Sequence, residues 1–117
     1  MGYGLAPSPT GALAAWELKN QIYFARFDAQ ARRLSHLSLV GGEATNRKYP
    51  VVVANKRGQA LVAWTEGVSW AHGGSVAWQL YDNDNVPTGP QGKSPGVPAS
   101  SQVTVFARQD GSFAVVY

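Results

Sequence analysis

One motif, which occurs three times along the chain, constrains the fold more than any other feature of the sequence. Its clearest copy, PVVVANKRGQALVAW at residues 50–64, is a β-branched run, a polar turn containing Gly58, and an apolar run that closes on Trp64. Residues of these types favour two strands joined by a turn, so each copy is predicted to be a β-hairpin. A hairpin loop of this length commonly closes on a left-handed residue, which predicts positive φ at Gly58 and Gly111. The other copies are VTVFARQDGSFAVVY at residues 103–117 and the weaker LAPSPTGALAAW at residues 5–16.

A second apolar segment follows each of the first two copies. IYFARFD, which begins at Ile22, matches VAWQLYD, which begins at Val76, at an interval of 54 residues, whereas Trp16 and Trp64 are separated by 48 residues. The second unit therefore has a longer connection between these two anchors. A period of about 50 residues is typical of propeller blades.

The repeats predict an all-β fold, a partial β-propeller of about two and a half four-stranded antiparallel blades. The 117 residues form a single repeat domain with units at residues 3–48 and 49–101 and a half unit at residues 102–117. Apolar residues near helical spacing make a helix within residues 12–39 the alternative, but the matching residues 60–82 do not fit one long helix. The predicted strands are residues 4–6, 13–16, 22–28, 35–40, 51–54, 60–65, 76–82, 96–100, 103–107 and 113–117.

Composition excludes several classes of function. The chain has no cysteine, which excludes disulfides and thiolate metal sites. The net charge of +3 comes from scattered residues without a long basic run, so we expect no nucleic-acid partner. No segment has the roughly 18 consecutive apolar residues of a membrane span. We also expect no cofactor.

The motif resembles a known family. Residues 54–58, 60–64 and 78–82 are similar to bacterial β-propeller repeats of the sialidase-like (BNR) and NHL-like kind, and residues 47–117 resemble the carboxy-terminal part of larger propeller proteins. This resemblance implies a periplasmic or extracellular location. The family's Asp box is Ser-x-Asp-x-Gly-x-Thr-Trp, and residues 108–113 supply only an Asp-Gly core, Asp110-Gly111. No motif marks Arg26, Arg47 or Arg108 as the family's carboxylate-binding arginines, so we do not expect this chain alone to be an enzyme.

The candidate ligand-binding residues are Glu66, Trp70 and His72, in the connection that exceeds the repeat. Insertions in repeat proteins map to one face, often the binding face. Trp70 offers a flat surface for a sugar ring, while Glu66 and His72 offer hydrogen bonds. We therefore predict that Trp70 is at least partly exposed to solvent, with His72 nearby. The alternative is that Trp70 folds back over the sheet as a local plug.

Other conspicuous residues have structural interpretations. The oxygen-rich run that begins at Asp82 suits Ca²⁺ in residue type but lacks the spacing of an EF-hand, and a turn explains it better. Trp16, Trp64 and Tyr117 occupy equivalent positions and are predicted to fill the space between blades.

These observations predict a non-catalytic binding or scaffold segment of a propeller, with a carbohydrate or protein ligand. The alternative is a fragment of a sialidase-like glycoside hydrolase whose catalytic residues lie outside this chain. A stack of fewer than about four blades does not close a ring. We therefore expect the chain to be completed by further blades of a parent protein or by self-association.

Overall fold

A computed structural model describes residues 2–35, 37–43 and 46–117, and in this part of the chain the fold consists of strands and turns. All strand pairs are antiparallel. The prediction of an all-β antiparallel fold is therefore confirmed at this level, and the helix alternative for residues 12–39 is wrong.

Three sheets follow one another along the chain. The strands of sheet 1 are β1 (Tyr3–Ser8), β2 (Gly11–Leu18), β3 (Gln21–Asp28), β4 (Arg33–Leu34) and β5 (Ser38–Leu39). The remaining strands are β6 (Arg47–Ala54), β7 (Ala60–Glu66), β8 (Gly74–Tyr81), β9 (Pro87–Val97), β10 (Thr104–Ala107) and β11 (Phe113–Val116). Sheet 1 has the order β1-β2-β3-β4, with β5 also pairing with β3; sheet 2 has the order β6-β7-β8-β9; sheet 3 is the hairpin β10-β11.

The hairpin turns follow the chemistry of their residues. Gly58 has φ of 82° and Gly111 has φ of 90°, so both predictions of positive φ are confirmed. Lys19 and Asn20 join β2 to β3 with φ of 51° and 64°, the two positive values of a type I′ turn. The β1–β2 turn has only the two residues Pro9 and Thr10 between paired strand ends, whereas residues 55–59 lie between Ala54 and Ala60 in the second copy, so the first copy has a different turn.

Two strand predictions need correction. The fourth strand of sheet 2 was expected at residues 96–100, but β9 is Pro87–Val97, a segment rich in proline and glycine. This composition is tolerated because β9 is an edge strand, where one side of the backbone needs no ladder hydrogen bonds. Of the strand expected at residues 35–40, only β5 (Ser38–Leu39) is present, and β4 (Arg33–Leu34) precedes the expected range. His36, which was expected in this strand, lies outside the described residues.

Sheet 2 is packed between the other two sheets. One hydrophobic cluster joins sheet 1 to sheet 2 and centres on Phe24 and Trp64. A second cluster joins the other face of sheet 2 to the segment around β10–β11 and includes Val76 and Val103. Successive side chains of a strand point to opposite faces. Val62 and Trp64 of β7 therefore lie in the first cluster, and Ala63 between them lies in the second.

Candidate ligand-binding site

The β7–β8 loop, residues 67–73, is held in shape by its own backbone and by a neighbouring segment. Ser69 N donates to His72 O at 2.9 Å, and Ser69 Oγ accepts hydrogen bonds from the backbone of Ala71 and His72 at 3.2 and 3.0 Å. Ser100 N donates to Ser69 O at 2.8 Å. Val68 is buried in the core beneath the loop. The loop is therefore anchored at its base and closed by a hydrogen-bonded turn at its tip.

Trp70 projects from this turn into solvent. Its exposed fraction is 87%, so the prediction that Trp70 is exposed is confirmed and the local-plug alternative is wrong. The backbone oxygen of Trp70 accepts a hydrogen bond from Ser100 Oγ at 3.3 Å, which ties the exposed residue to the chain after β9. His72 belongs to the same turn and is also exposed. The structure brings Trp70 and His72 together as the sequence predicts.

Glu66 has a different environment. Its side chain is only 11% exposed and binds groups within the protein: Trp64 Nε1 donates to Oε2 at 2.8 Å, and Lys93 Nζ donates to Oε1 at 2.8 Å. Burial by itself would raise the pKa of Glu66, but the hydrogen bonds from Lys93 and Trp64 and the charges of Lys93 and Arg47 outweigh it and hold the pKa below its usual value. Glu66 is thus already satisfied by internal partners.

Arg47 completes this cluster. Its side chain is 2% exposed, its guanidinium lies 5.0 Å from the centre of the Trp64 ring, and its Nε lies 3.4 Å from Glu66 Oε2 without a hydrogen bond. The two terminal nitrogens donate to the carbonyl oxygens of Val40 at 3.1 Å and Gly41 at 2.8 Å. These contacts tie the segment before β6 to the end of β7.

The Glu66 cluster borders a small cavity of about 350 Å³. Trp70 and His72 do not line it, so the structure separates Glu66 from the other two candidate residues. The cavity is lined by Gly42, Glu43, Arg47, Glu66, Ala77, Gln91, Gly92 and Lys93.

A larger cavity of about 660 Å³ lies among turns of sheets 1 and 2. It carries four basic side chains, Arg26, Arg33, Lys56 and Arg57, together with Asp28 and Asp84. Arg26 donates to the backbone oxygen of Asp82 at 2.8 Å and also to the side chain of Asn85. Burial lowers the pKa of Arg26, while the charges of Asp82 and Asp84 act in the opposite direction. Sequence analysis did not identify this cavity, although Lys56-Arg57 is a visible basic doublet.

The acidic turn after β8 has a structural role in the described chain. Asp82 Oδ1 accepts hydrogen bonds from the backbone of Asp84 at 2.9 Å and Val86 at 3.0 Å, which is the turn function predicted for it. Among the described residues, no group of three or more His, Cys, Asp or Glu side chains is arranged to hold a metal ion. No helix in that part of the chain is long and apolar enough to cross a membrane.

The three arginines considered for carboxylate binding do not share a site. Arg26 lines the larger cavity and Arg47 the smaller one, and Arg108 lines neither. In comparisons with known proteins, no family model, no curated protein and no solved structure matches this chain. The geometry of the chain itself is therefore the basis for proposing a function.

Proposed function

We propose that this chain is a non-catalytic binding module built from about two and a half propeller-type blades, and that it binds carbohydrate through Trp70. The blade assignment is supported by three successive antiparallel sheets in which equivalent residues face the preceding sheet. Trp64 of sheet 2 packs in the cluster with sheet 1, and Tyr117, its equivalent after β11, forms a 2.7 Å hydroxyl contact with Ser94 of sheet 2.

The exposed position of Trp70 on an anchored loop carries the proposal. Trp70 is 87% exposed, so most of its apolar surface is in contact with water. A ligand that covers this surface would remove it from water, which contributes favourable free energy of binding. Since the loop backbone is already hydrogen-bonded, little further ordering is needed when a ligand binds.

The surroundings of Trp70 favour a sugar over a protein partner. The central residues of protein interfaces are usually enclosed by other well-packed side chains. Apart from Trp70, the exposed residues of the loop are all small or polar, namely Gly67, Ala71, His72 and Gly73. A single flat aromatic surface with a nearby hydrogen-bonding group suits one sugar ring better than an apolar protein surface.

Affinity electrophoresis in gels containing cellulose, chitin, xylan or mannan tests this proposal. We expect at least one polysaccharide to retard the wild-type protein and Trp70→Ala to remove that retardation. Val86→Ala is the matched control because Val86 is an exposed apolar residue in a different turn, between β8 and β9. Equal retardation of wild type and Trp70→Ala, or no retardation by any polysaccharide, would contradict the proposal.

A further inference from the structure

Sheets 1 and 2 present equivalent faces to very different environments. The strand register places Leu5 opposite Ala14 and, one unit later, Val52 opposite Val62, so Leu5 and Val52 are equivalent positions. Val52 is buried against sheet 1, whereas Leu5 is 71% exposed. In sheet 2 this face is covered by sheet 1; in sheet 1 the same face is open.

The open face of sheet 1, called the outer face below, is continuous and apolar. Trp16 and Tyr23 stack on it with ring centres 6.2 Å apart. The strand register aligns three rows on this face, and none of them contains a charged residue. The rows are Tyr3–Trp16–Tyr23–Leu39, Leu5–Ala14–Ala25 and Pro7–Ala12–Phe27–Leu34.

The contact between sheets 1 and 2 indicates what such a face binds. Sheet 1 covers the equivalent face of sheet 2 with uncharged aliphatic and aromatic side chains, including Leu13, Ile22 and Phe24. Large continuous apolar patches are uncommon on monomers and mark interaction surfaces. The expected occupant is therefore the opposite face of another sheet of the same repeat.

The described chain contains one such surface that remains open, the outward face of the hairpin β10–β11. Its strand pairs are Thr104 with Val116 and Phe106 with Ala114, again without charge, and Phe106 and Val116 are about half exposed. The opposite face of the hairpin, with Val105 and Val115, packs on sheet 2. The outward face is thus the next surface in the same stacking direction.

We propose that a second copy of this chain docks head to tail, with its β10–β11 hairpin on the outer face of sheet 1. The contact continues the stacking by which sheet 1 covers sheet 2 and brings two uncharged apolar surfaces together, so no charge is buried. Such a contact joins two different surfaces and leaves each copy with one free surface, so assembly proceeds to a ring or to a longer chain. This inference rests on the repeat and not on the carbohydrate proposed above.

Sedimentation velocity over a range of protein concentrations tests the docking. The wild-type chain should show a mass that increases with concentration. Leu5→Asp on the outer face and Phe106→Asp on the hairpin should each be monomeric, because each places a charge in the contact. Val86→Asp is the matched control, since Val86 is comparably exposed in the β8–β9 turn and should assemble normally.

A mixture of the two monomeric variants gives the decisive result. Phe106→Asp retains an intact outer face and Leu5→Asp an intact hairpin, so mixing them should restore dimers and nothing larger. Thermal melts check that both variants fold, and Tyr3→Ser replaces Leu5→Asp if that chain does not melt cooperatively. A monomeric wild type at all concentrations would overturn the proposal. Loss of assembly in Leu5→Asp but not in Phe106→Asp would also overturn it, in favour of outer faces packed on one another.

Discussion

Nε1 of Trp64 donates a hydrogen bond of 2.8 Å to Oε2 of Glu66, two residues later on the same face of β7. The guanidinium of Arg47 lies over the same indole ring and near the same carboxylate. Because Arg47 also binds the carbonyl oxygens of Val40 and Gly41, this group joins sheet 1 to sheet 2 at one end of the core. Glu66 consequently stabilises the contact between the two sheets, although its position beside the long loop predicted ligand binding.

Replacing Glu66 should therefore destabilise the fold. Glu66→Gln removes the negative charge beside the buried Arg47 and weakens two charged hydrogen bonds, so we expect a loss of about 2 kcal/mol in urea unfolding at neutral pH. Lys93→Met is the matched control. The side chain of Lys93 is 59% exposed, and solvent screening should keep its loss below about 1 kcal/mol. A neutral Glu66→Gln substitution would contradict the role assigned to the cluster.

The same carboxylate should make stability depend on pH. The pKa of Glu66 is lowered in the folded chain from a reference value of 4.5, so the folded state binds a proton less readily than the unfolded state. Its contribution is present above pH 4.5 and is lost as the pH falls through the lower folded pKa. Unfolding of wild type and Glu66→Gln across this range should show a stability difference that narrows with acidification. A difference that widens would mean that the sign of the pKa shift is wrong.

The turn glycines give a separate test of the repeat. Gly58→Ala places a side chain at φ of 82°, where backbone strain should cost about 1 kcal/mol in the free energy of unfolding. A Cβ at Gly58 would meet its nearest neighbour, Asn83, at 3.5 Å, so crowding adds little. Gly41→Ala is the control, because its added Cβ meets nothing within 4 Å and its φ is not positive. Equal thermal melts for the two variants would exclude backbone strain at Gly58.

Gly92 is constrained by packing instead. A Cβ there would clash with the six-membered ring of Trp78, at Cε2 and Cζ2. We expect Gly92→Ala to destabilise the protein by roughly 1–3 kcal/mol, as overpacking does in other folded proteins. The matched experiment is a double-mutant cycle with Trp78→Ala, in which the cost of Gly92→Ala should largely disappear. An unchanged cost in the Trp78→Ala background would assign the effect to another contact.

The sequence predicts strands well where β-branched and aromatic residues carry the pattern. β7, β10 and β11 lie close to their expected positions because Val, Phe and Trp fill them and glycine closes their turns. β6 ends at Ala54 as expected but begins at Arg47, before the expected residue 51. β9 could not be predicted in the same way. Its prolines and glycines are typical of loops, and it is a strand because β8 offers a partner edge along its length.

The candidate site was predictable only as far as local sequence determines it. Trp70 and His72 share one short loop, so their proximity follows from the chain itself. Two of the partners of Glu66, Arg47 and Lys93, are distant from it in the sequence and reach it only through the pairing of β6, β7, β8 and β9. Neither partner carries a local signal of this contact, and for that reason Glu66 was grouped with the loop.

The last prediction concerns the fixed shape of the β7–β8 loop. Ser69→Ala removes the side-chain oxygen that accepts hydrogen bonds from Ala71 and His72, while leaving Trp70 in place. The loop is exposed, so we expect a loss of stability below about 1 kcal/mol. Affinity for the polysaccharide that retards wild type should fall by roughly 3–10-fold, because the loop must then be ordered on binding. Ser112→Ala in the β10–β11 turn is the matched control and should retain wild-type affinity. Titration calorimetry with a soluble oligomer of that polysaccharide measures the difference, and equal affinities for Ser69→Ala and wild type would show that preorganisation of the loop does not contribute.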